Sequence, residues 1–313
     1  MSDPFLDPSV SAARSNPARI ARIGLTSKCV RLAAIDEYGH PVIARNEENE
    51  QVGQRVASGF LLREGDNLYL YTCWHVVTGL DFREPTLPPA GRARTIFLDV
   101  SLQEAQPAGA TLEGIGGSRV VRLPLYDLKE SPPRPLWEQY RQARSCPNIE
   151  IAGILAPRYN DIARLRVSEQ GFFVSDALQV FSTRDLWRDY IAPGDTLYVL
   201  GFPYGFSGSD RHTQAVLLTR YAAQMGIAGQ DDGPYLDSPC APGMSGGPVV
   251  IEMGGLTFLA GIYTGSRFPD GPKQKPNQLT ALGTYCPLVS LLCGQSNEFT
   301  SHMATSNWAS SNE

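Results

Sequence analysis

Residues 243–248 read GMSGGP, and the apolar run VVI follows directly at residues 249–251. A serine hydroxyl becomes an effective nucleophile when a base accepts its proton and nearby donors hold the developing oxyanion. Glycines on both sides of Ser245 let the backbone turn sharply, so that the N–H groups of Gly243 and Ser245 can point into one small space. A glycine-rich turn between two strands could also contain G-x-S-G. The full G-x-S-G-G-P pattern before an apolar run favours a nucleophile beside an oxyanion hole.

A candidate base lies upstream, where residues 71–77 read YTCWHVV. His75 follows a β-like apolar run and precedes two valines. The other histidines, His40, His212 and His302, lie in polar, loop-like surroundings. The position of His75 therefore makes it the candidate general base.

A candidate partner for this histidine is an aspartate in a strand-like segment, where residues 160–165 read NDIARL. Asp161 could instead be a turn former, as aspartates at the start of strands often are. Asp99 and Asp127 are rival candidates. The D-I-A-x-L context favours Asp161. In a Ser-His-Asp triad the aspartate orients the imidazole, stabilises the imidazolium and stays ionised.

The three motifs resemble those of the trypsin-like (chymotrypsin-fold) serine peptidases over about residues 55–290. That family carries a T-A-x-H-like histidine, a D-I-A-x-L aspartate and a G-x-S-G-G serine. The chain is most similar to the bacterial, HtrA-like protease domain. The G-N-P-F-G segment of that group resembles GFPYG at residues 201–205, and an aspartate eight positions before its serine matches Asp237.

The resemblance implies an all-β fold of two chymotrypsin-like six-stranded β-barrels, with the active site in the cleft between them. It also implies a catalytic triad of His75, Asp161 and Ser245, with an oxyanion hole made by Gly243 and Ser245. No metal and no organic cofactor is implied.

Two departures from the family pattern concern regulation and domain content. Members that are activated by zymogen cleavage carry an aspartate before the serine, but Met244 stands there and cannot pair with a freed N-terminus. We therefore expect no activation by N-terminal cleavage, and we expect no PDZ domain after Ser245. The segment from His75 to Asp161 is longer than the resemblance leads us to expect, and most of the excess lies at residues 81–147.

By resemblance, three segments line the pocket for the substrate residue before the scissile bond: Pro239, Cys240 and Ala241; Tyr263, Thr264 and Gly265; and Gly283, Thr284 and Tyr285. None of these residues is charged, so a buried cationic or anionic substrate side chain would lack a partner. We therefore expect small or medium apolar residues to be preferred, with the substrate backbone added as a strand along residues 263–265. Asp237 could change this preference if its loop reached the pocket.

Short apolar runs that alternate with turn clusters favour an all-β fold. The pattern predicts strands at residues 58–62 and 68–72 around a turn, and a hairpin whose strands are residues 248–251 and 256–262. Cys73 falls within a predicted buried strand, and residues 182–190 are expected to add a helical turn. We expect four regions: a flexible arm (1–28), an N-terminal barrel with His75 and Asp161 (29–175), a linker and C-terminal barrel with Ser245 (176–293), and a flexible tail (294–313).

Composition and charge exclude several classes of function. The formal net charge is −5, and the arginines of the N-terminal segment lack interleaved aromatic residues, so no nucleic acid is expected as a partner. No apolar segment is long enough to span a bilayer, and no secretory signal is evident. The six cysteines form no CxxC pair. We expect reduced thiols and a cytoplasmic location, and the excess of arginine over lysine loosely fits a bacterial or phage genome.

These observations predict a serine endopeptidase that acts on a protein or peptide substrate. Two alternatives remain open. One is a pseudoprotease that binds a ligand without catalysis, and the other is a latent protease of a stress or defence system that a protein partner activates. The presence of all three triad residues argues against the pseudoprotease.

Overall fold

The structure is a computed structural model of the full chain. It describes residues 28–45, 51–79, 95–103, 118–141, 159–167, 180–189, 191–205, 215–224, 234–238, 240–267, 282–288 and 299–300. These residues form strands almost throughout, with one short α-helix, α1 (Trp74–Thr78), and two single turns of 3-10 helix at Thr183–Asp185 and Pro203–Gly205. No helix in these ranges is long and apolar enough to cross a membrane.

The N-terminal half of the chain is built around one large, mainly antiparallel sheet. The strands of this half are β1 (Val30–Ile35), β2 (Ile43–Arg45), β3 (Gln51–Gln54), β4 (Val56–Glu64), β5 (Asn67–Thr72), β6 (Phe97–Gln103), β7 (Ser118–Pro124), β8 (Tyr126–Asp127), β9 (Arg134–Pro135), β10 (Trp137–Arg141), β11 (Tyr159–Val167) and β12 (Phe181–Ser182).

The C-terminal half forms a closed barrel. Its strands are β13 (Thr196–Gly201), β14 (Ala215–Gln224), β15 (Pro234–Leu236), β16 (Pro248–Met253), β17 (Leu256–Arg267) and β18 (Leu282–Pro287), and they close in the order β13-β14-β15-β18-β17-β16. A last strand, β19 (Phe299–Thr300), returns to the N-terminal sheet and pairs with β10.

The large sheet has nine strands in the order β19-β10-β11-β5-β4-β1-β6-β7, with β12 paired in parallel to β4. Within the described residues this hydrogen-bonded path is open, whereas the C-terminal barrel closes with six strands. The expected all-β, chymotrypsin-like architecture is therefore confirmed, and the N-terminal sheet is wider than the six-stranded barrel that the sequence predicts.

Strand β4 is buried on both faces over residues 57–62. Leu61 belongs to the core of the N-terminal sheet, whereas the adjacent Phe60 and Leu62 pack in a second cluster with Leu200 and Val250 of the C-terminal barrel. Successive side chains of a strand point to opposite faces. One face of β4 therefore fills its own sheet, and the other joins the two halves.

Strand β16 is also buried on both of its faces. Val249 and Ile251 pack in the core of the C-terminal barrel, while Val250 lies in the cluster between the two halves. The loop with the GMSGGP motif leads directly into β16. Its serine is therefore held at the junction of the two halves.

The local sequence predictions are mostly confirmed. Strands β4 and β5 form the first predicted hairpin, β16 and β17 form the second, and the predicted helical turn is the 3-10 turn at Thr183–Asp185, which Ser182 caps. The placement of Cys73 within a strand is wrong. Strand β5 ends at Thr72, and Cys73 is the N-cap residue of α1.

Most residues of the two expected terminal regions, 1–28 and 294–313, lie outside the described ranges. In the expected N-terminal arm only Lys28 is described, and in the expected tail only Phe299–Thr300. Phe181–Ser182, in the expected linker, pairs with β4 of the N-terminal sheet.

Candidate active site

His75 lies in the first turn of α1, directly after the end of β5. The helix is only five residues long and ends at Gly79, whose φ of 80° is left-handed and suits glycine. Two hydrogen bonds from Arg55 hold this turn: its Nη2 donates to the carbonyl of His75 at 3.0 Å, and its Nη1 donates to the carbonyl of Gly79 at 3.2 Å. The histidine therefore sits on a braced element, with its side chain about one quarter exposed.

Asp161 holds His75 through both oxygens of its carboxylate. Its Oδ2 lies 2.7 Å from Nδ1 of the ring, and its Oδ1 accepts a hydrogen bond from the backbone N–H of His75 at 3.0 Å. A carboxylate accepts hydrogen bonds, so this geometry favours the proton on Nδ1 and leaves Nε2 as an acceptor. Strand β11 brings Asp161 here because it pairs with β5, with Ala163 opposite Thr72.

The two rival aspartates have other partners. Asp99 on β6 forms a two-point ion pair with Arg122 on β7, at 2.7 and 2.8 Å. Asp127 accepts a hydrogen bond from the backbone of Lys129 and lies 3.8 Å from Arg134. Of the three candidates, the structure brings Asp161 to His75.

The glycines around Ser245 are required by close backbone contacts. Gly246 has a φ of 86°, and a Cβ there would lie 2.2 Å from the carbonyl oxygen of Ser58. A Cβ on Gly247 would lie 2.0 Å from the carbonyl oxygen of Leu200. The loop therefore packs against both halves of the molecule at distances that a side chain would prevent.

Ser58 on β4 connects this loop to the N-terminal sheet. Its backbone N–H donates to the carbonyl of Ser245 at 2.9 Å, and its hydroxyl donates to the carbonyl of Gly243 at 2.7 Å. The same hydroxyl accepts a hydrogen bond from the N–H of Phe202 at 3.0 Å. Next to it, the N–H of Tyr204 donates to the carbonyl of Pro242 at 2.6 Å. The GFPYG segment therefore helps to hold the nucleophile loop.

One cavity of about 220 Å³ is lined by three of the candidate site residues, His75, Gly243 and Ser245. Gly243 has a φ of 93°, which bends the chain before Ser245. The histidine comes from the N-terminal sheet and the serine from the loop before β16. The cavity therefore has walls from both halves of the molecule.

The sequence of residues 57–257 matches the family model of the trypsin-like peptidase domain. The chain belongs to the trypsin-like peptidase family. No curated protein matches the chain. Among solved structures, the protease domain of MamO from Magnetospirillum magneticum in its apo form is similar at 15% sequence identity, with a TM-score of 0.39 over 86% of this chain and 95% of that one.

Two of the residues expected in the pocket before the scissile bond, Tyr263 and Cys240, are hydrogen-bonded to each other. The ring of Tyr263 is buried, and its hydroxyl accepts a hydrogen bond from the N–H of Cys240 at 3.0 Å and pairs with the hydroxyl of Ser266 at 2.9 Å. Burial raises the pKa of this phenol. The neutral hydroxyl of Tyr263 on β17 is therefore joined to the backbone of Cys240.

The structure also describes other residues of the expected pocket. Gly265 and Gly283 lie on the adjacent strands β17 and β18, a Cβ on Gly283 would lie 2.7 Å from the carbonyl of Ser238, and Ala241 is partly buried. Pro239 lies outside the described residues. Asp237 is exposed and accepts a hydrogen bond from the hydroxyl of Ser238 at 3.1 Å.

Met244 has an apolar role in this peptidase. Its side chain is fully buried in the core of the C-terminal barrel, where a Cβ on Gly201 would lie 2.7 Å from its sulfur. The residue before the nucleophile is therefore held by packing.

The described cysteines of the peptidase, Cys29, Cys73, Cys240 and Cys286, are free thiols. Burial raises the pKa of Cys29, Cys240 and Cys286 to about 12, which makes these thiols poor nucleophiles.

A group of three metal-ligating residue types includes the candidate catalytic pair, since donor atoms of Cys73, His75 and Asp161 lie within 4.8 Å of one another. Burial raises the pKa of the Cys73 thiol well above its usual range, and its sulfur donates to the carbonyl of Tyr263 at 3.3 Å. A metal would require the thiolate and would also compete with the His75–Asp161 hydrogen bonds. The donor set therefore fits a histidine–carboxylate pair better than a metal site.

Sequence reasoning missed Ser58 and Arg55. Neither lies in a recognisable motif, and their partners are distant in sequence: Ser58 and Gly243 are separated by 185 positions. A serine at the start of the buried part of β4 was the available signal for one of them.

Proposed function

We propose that this chain is a serine endopeptidase that hydrolyses peptide bonds through an acyl-enzyme on Ser245. The observation that carries the proposal is the two-point contact between one carboxylate and one histidine. Asp161 receives hydrogen bonds from both Nδ1 and the backbone N–H of His75. That contact directs Nε2 away from the carboxylate, and the histidine shares a cavity with Ser245. The contact and the shared cavity support Asp161 as the orienting group, His75 as the base and Ser245 as the nucleophile.

In the first step, the Oγ of Ser245 attacks the carbonyl carbon of the scissile bond while Nε2 of His75 accepts the hydroxyl proton. The N–H groups of Gly243 and Ser245 hold the oxyanion of the tetrahedral intermediate. His75 then transfers its proton to the leaving amine, and the acyl-enzyme remains. A water molecule, deprotonated by the same nitrogen, releases the acid in a second cycle. Asp161 stays ionised and stabilises the imidazolium in both halves of the reaction.

Specificity before the scissile bond follows from Tyr263. Its ring and hydroxyl bridge Cys240 and Ser266, so little depth is left for a substrate side chain. Within the small or medium apolar class that the sequence predicts, this geometry favours the smallest members, such as alanine. Lysine, arginine, aspartate and glutamate are disfavoured because the described walls of this pocket offer no opposite charge.

A fluorophosphonate probe, which reacts with activated serines, tests this function. The purified chain should be labelled alone, the Ser245→Ala variant should not be labelled, and Ser238→Ala should serve as a matched control that is labelled normally. Labelling that required added cell lysate would identify a latent enzyme with a protein activator. A chain that was never labelled, with or without lysate, would be a pseudoprotease and would contradict the proposal.

A further inference from the structure

One carbonyl oxygen of strand β17 receives a hydrogen bond from each half of the candidate site. The backbone N–H of Gly246, the residue after Ser245, donates to the carbonyl of Tyr263 at 2.8 Å. The thiol of Cys73, two residues before His75, donates to the same carbonyl at 3.3 Å. A single acceptor therefore connects the loop of the proposed nucleophile with the start of the helical turn that carries the proposed base.

Helix capping does not account for the side chain of Cys73. Cys73 is the N-cap residue of α1, but its side chain makes no capping hydrogen bond. Serine, threonine, aspartate and asparagine are the residues that cap helices well. The thiol is instead fully buried, and its Sγ lies within 4.8 Å of a donor atom of His75 and of Asp161. Its surroundings are therefore the candidate catalytic pair and the carbonyl on β17.

The surroundings of this thiol keep it protonated, as a hydrogen-bond donor must be. Burial raises the pKa of Cys73 well above its usual range, and the carboxylate of Asp161 raises it further. A second negative charge beside Asp161 would be repelled. The neutral S–H group, a weak donor, therefore remains available to the carbonyl of Tyr263 throughout the proposed reaction.

We propose that Cys73 is a positioning residue of the triad, whose thiol holds α1 against β17 and so fixes His75 relative to Ser245. This inference rests on the proposed function and adds to it a contact between the two halves of the molecule. The T-A-x-H motif of the family has an alanine at this position, and an alanine side chain has no donor. The contact is therefore a feature of this chain and not of the motif.

The burial of Cys73 determines which kinetic constant should change. Because the side chain is fully buried, it has no surface with which to bind the substrate. A shift of α1 relative to β17 would misalign Nε2 of His75 and the hydroxyl of Ser245, and rates depend steeply on such alignment. Loss of the thiol should therefore lower kcat and leave KM nearly unchanged.

Three substitutions separate the donor from the volume of this side chain. Cys73→Ala removes both, Cys73→Val fills the space without a donor, and Cys73→Ser keeps a donor in a smaller side chain. We expect kcat to fall by about 3- to 30-fold in the alanine and valine variants, and the serine variant to recover most of that loss.

The matched control is Val167→Ala, at the last position of β11 in the same core cluster as Cys73. It removes buried volume away from the site, so it should lower the melting temperature and leave kcat unchanged. All proteins are assayed with one peptide that has alanine before the scissile bond. Each kcat is expressed per active serine, counted by titration with a fluorophosphonate, so a loss of folded protein does not alter it.

Unchanged kcat in both Cys73→Ala and Cys73→Val, with an active wild type, would overturn the positioning role and leave the proposed function standing. A loss in Cys73→Ala alone, or a serine variant as slow as the other two, would show that packing matters and the donor does not, which overturns it as well. An equal loss of kcat in Val167→Ala would have the same consequence. A wild type that hydrolysed no substrate would overturn the proposed function and this inference with it.

Discussion

His75 and Asp161 are joined side chain to side chain on the N-terminal sheet, whereas Ser245 and Gly243 are held through their backbone carbonyls. On the first side, one carboxylate takes two hydrogen bonds from one histidine. On the second side, the backbone N–H and the hydroxyl of Ser58 each bind a carbonyl of the nucleophile loop.

The two sides of the site differ in their proposed roles: His75 and Asp161 take part in proton transfer, and the contacts of Ser58 fix the position of the loop with Ser245. In the proposed reaction His75 must change its protonation state while Asp161 stays ionised, so the loss of either side chain alters the chemistry. In the proposed reaction the loop with Ser245 presents two N–H groups to the oxyanion, and backbone contacts and close glycine packing hold that loop. We therefore expect large catalytic losses from substitutions on the first side. Supporting residues on the second side should give smaller losses together with reduced stability.

The largest effect is expected from the proposed nucleophile and base. Ser245→Ala and His75→Ala should each lower kcat by on the order of 10⁶-fold, and the double variant should be little worse, because the residues of a triad act as a unit. Peptide hydrolysis by the three variants would be compared with that of the wild type. If the two losses multiplied in the double variant, the two halves of the site would not act in the same step.

The second-largest effect is expected at Asp161, and it distinguishes this aspartate from its rival Asp99. Asp161→Asn preserves the shape but favours the wrong tautomer of His75, so kcat should fall by on the order of 10⁴-fold. Asp99→Asn breaks only an exposed ion pair with Arg122, and it should change kcat little. Steady-state kinetics of both variants would measure this. A large loss in Asp99→Asn with a small loss in Asp161→Asn would transfer the role to Asp99.

Much of the part of the site around His75 and Asp161 could be predicted, because the sequence motifs that indicate it are local. The hairpin of β4 and β5 follows from two apolar runs around Gly65 and Asp66, and the expected partner of His75 follows from the residues around Asp161. Even so, the apolar run YTCWHVV could not show where the strand ends. A short apolar run fits a strand or a helical turn equally well. The helical turn here ends at Gly79.

The contacts that hold the loop with Gly243 and Ser245 could not be predicted, because they join distant parts of the chain. Nothing next to Ser58 in the sequence indicates that its hydroxyl reaches Gly243, 185 positions later. The width of the N-terminal sheet depends in the same way on β19, which pairs with β10 from the far end of the chain. The hydrogen bonds of the Tyr263 hydroxyl with Cys240 and Ser266 likewise depend on the tertiary fold, which the sequence around Tyr263 does not specify.

A smaller effect is expected at Ser58, which connects the N-terminal sheet to the loop with Ser245. Ser58→Ala removes the donor to Gly243 and the acceptor for Phe202, so kcat should fall by about 10- to 100-fold, less than after direct loss of an oxyanion donor. The free energy of unfolding should fall by about 1–3 kcal/mol because buried backbone groups lose their partners. Kinetics and thermal unfolding would be measured together, with Ser101→Ala on β6 as the control. A stability loss with unchanged kcat would limit Ser58 to a structural role.

The smallest effect is expected at the acyl-side pocket. Tyr263→Phe keeps the ring but removes the hydroxyl that receives the N–H of Cys240, so the free energy of unfolding should fall by about 1–3 kcal/mol. The pocket should open slightly, and the ratio of rates for leucine over alanine before the scissile bond should rise a few-fold. Peptide pairs that differ only at that residue would measure it. An unchanged ratio would show that the hydroxyl does not limit the pocket.

The central claim is that His75, held by Asp161, activates Ser245. The most direct test is to treat the purified wild type and the His75→Ala variant with a fluorophosphonate and to locate the adduct by mass spectrometry of the digested protein. The account predicts a single adduct on Ser245 in the wild type and none in His75→Ala. An adduct on another residue, or equal labelling of Ser245 in both proteins, would contradict it.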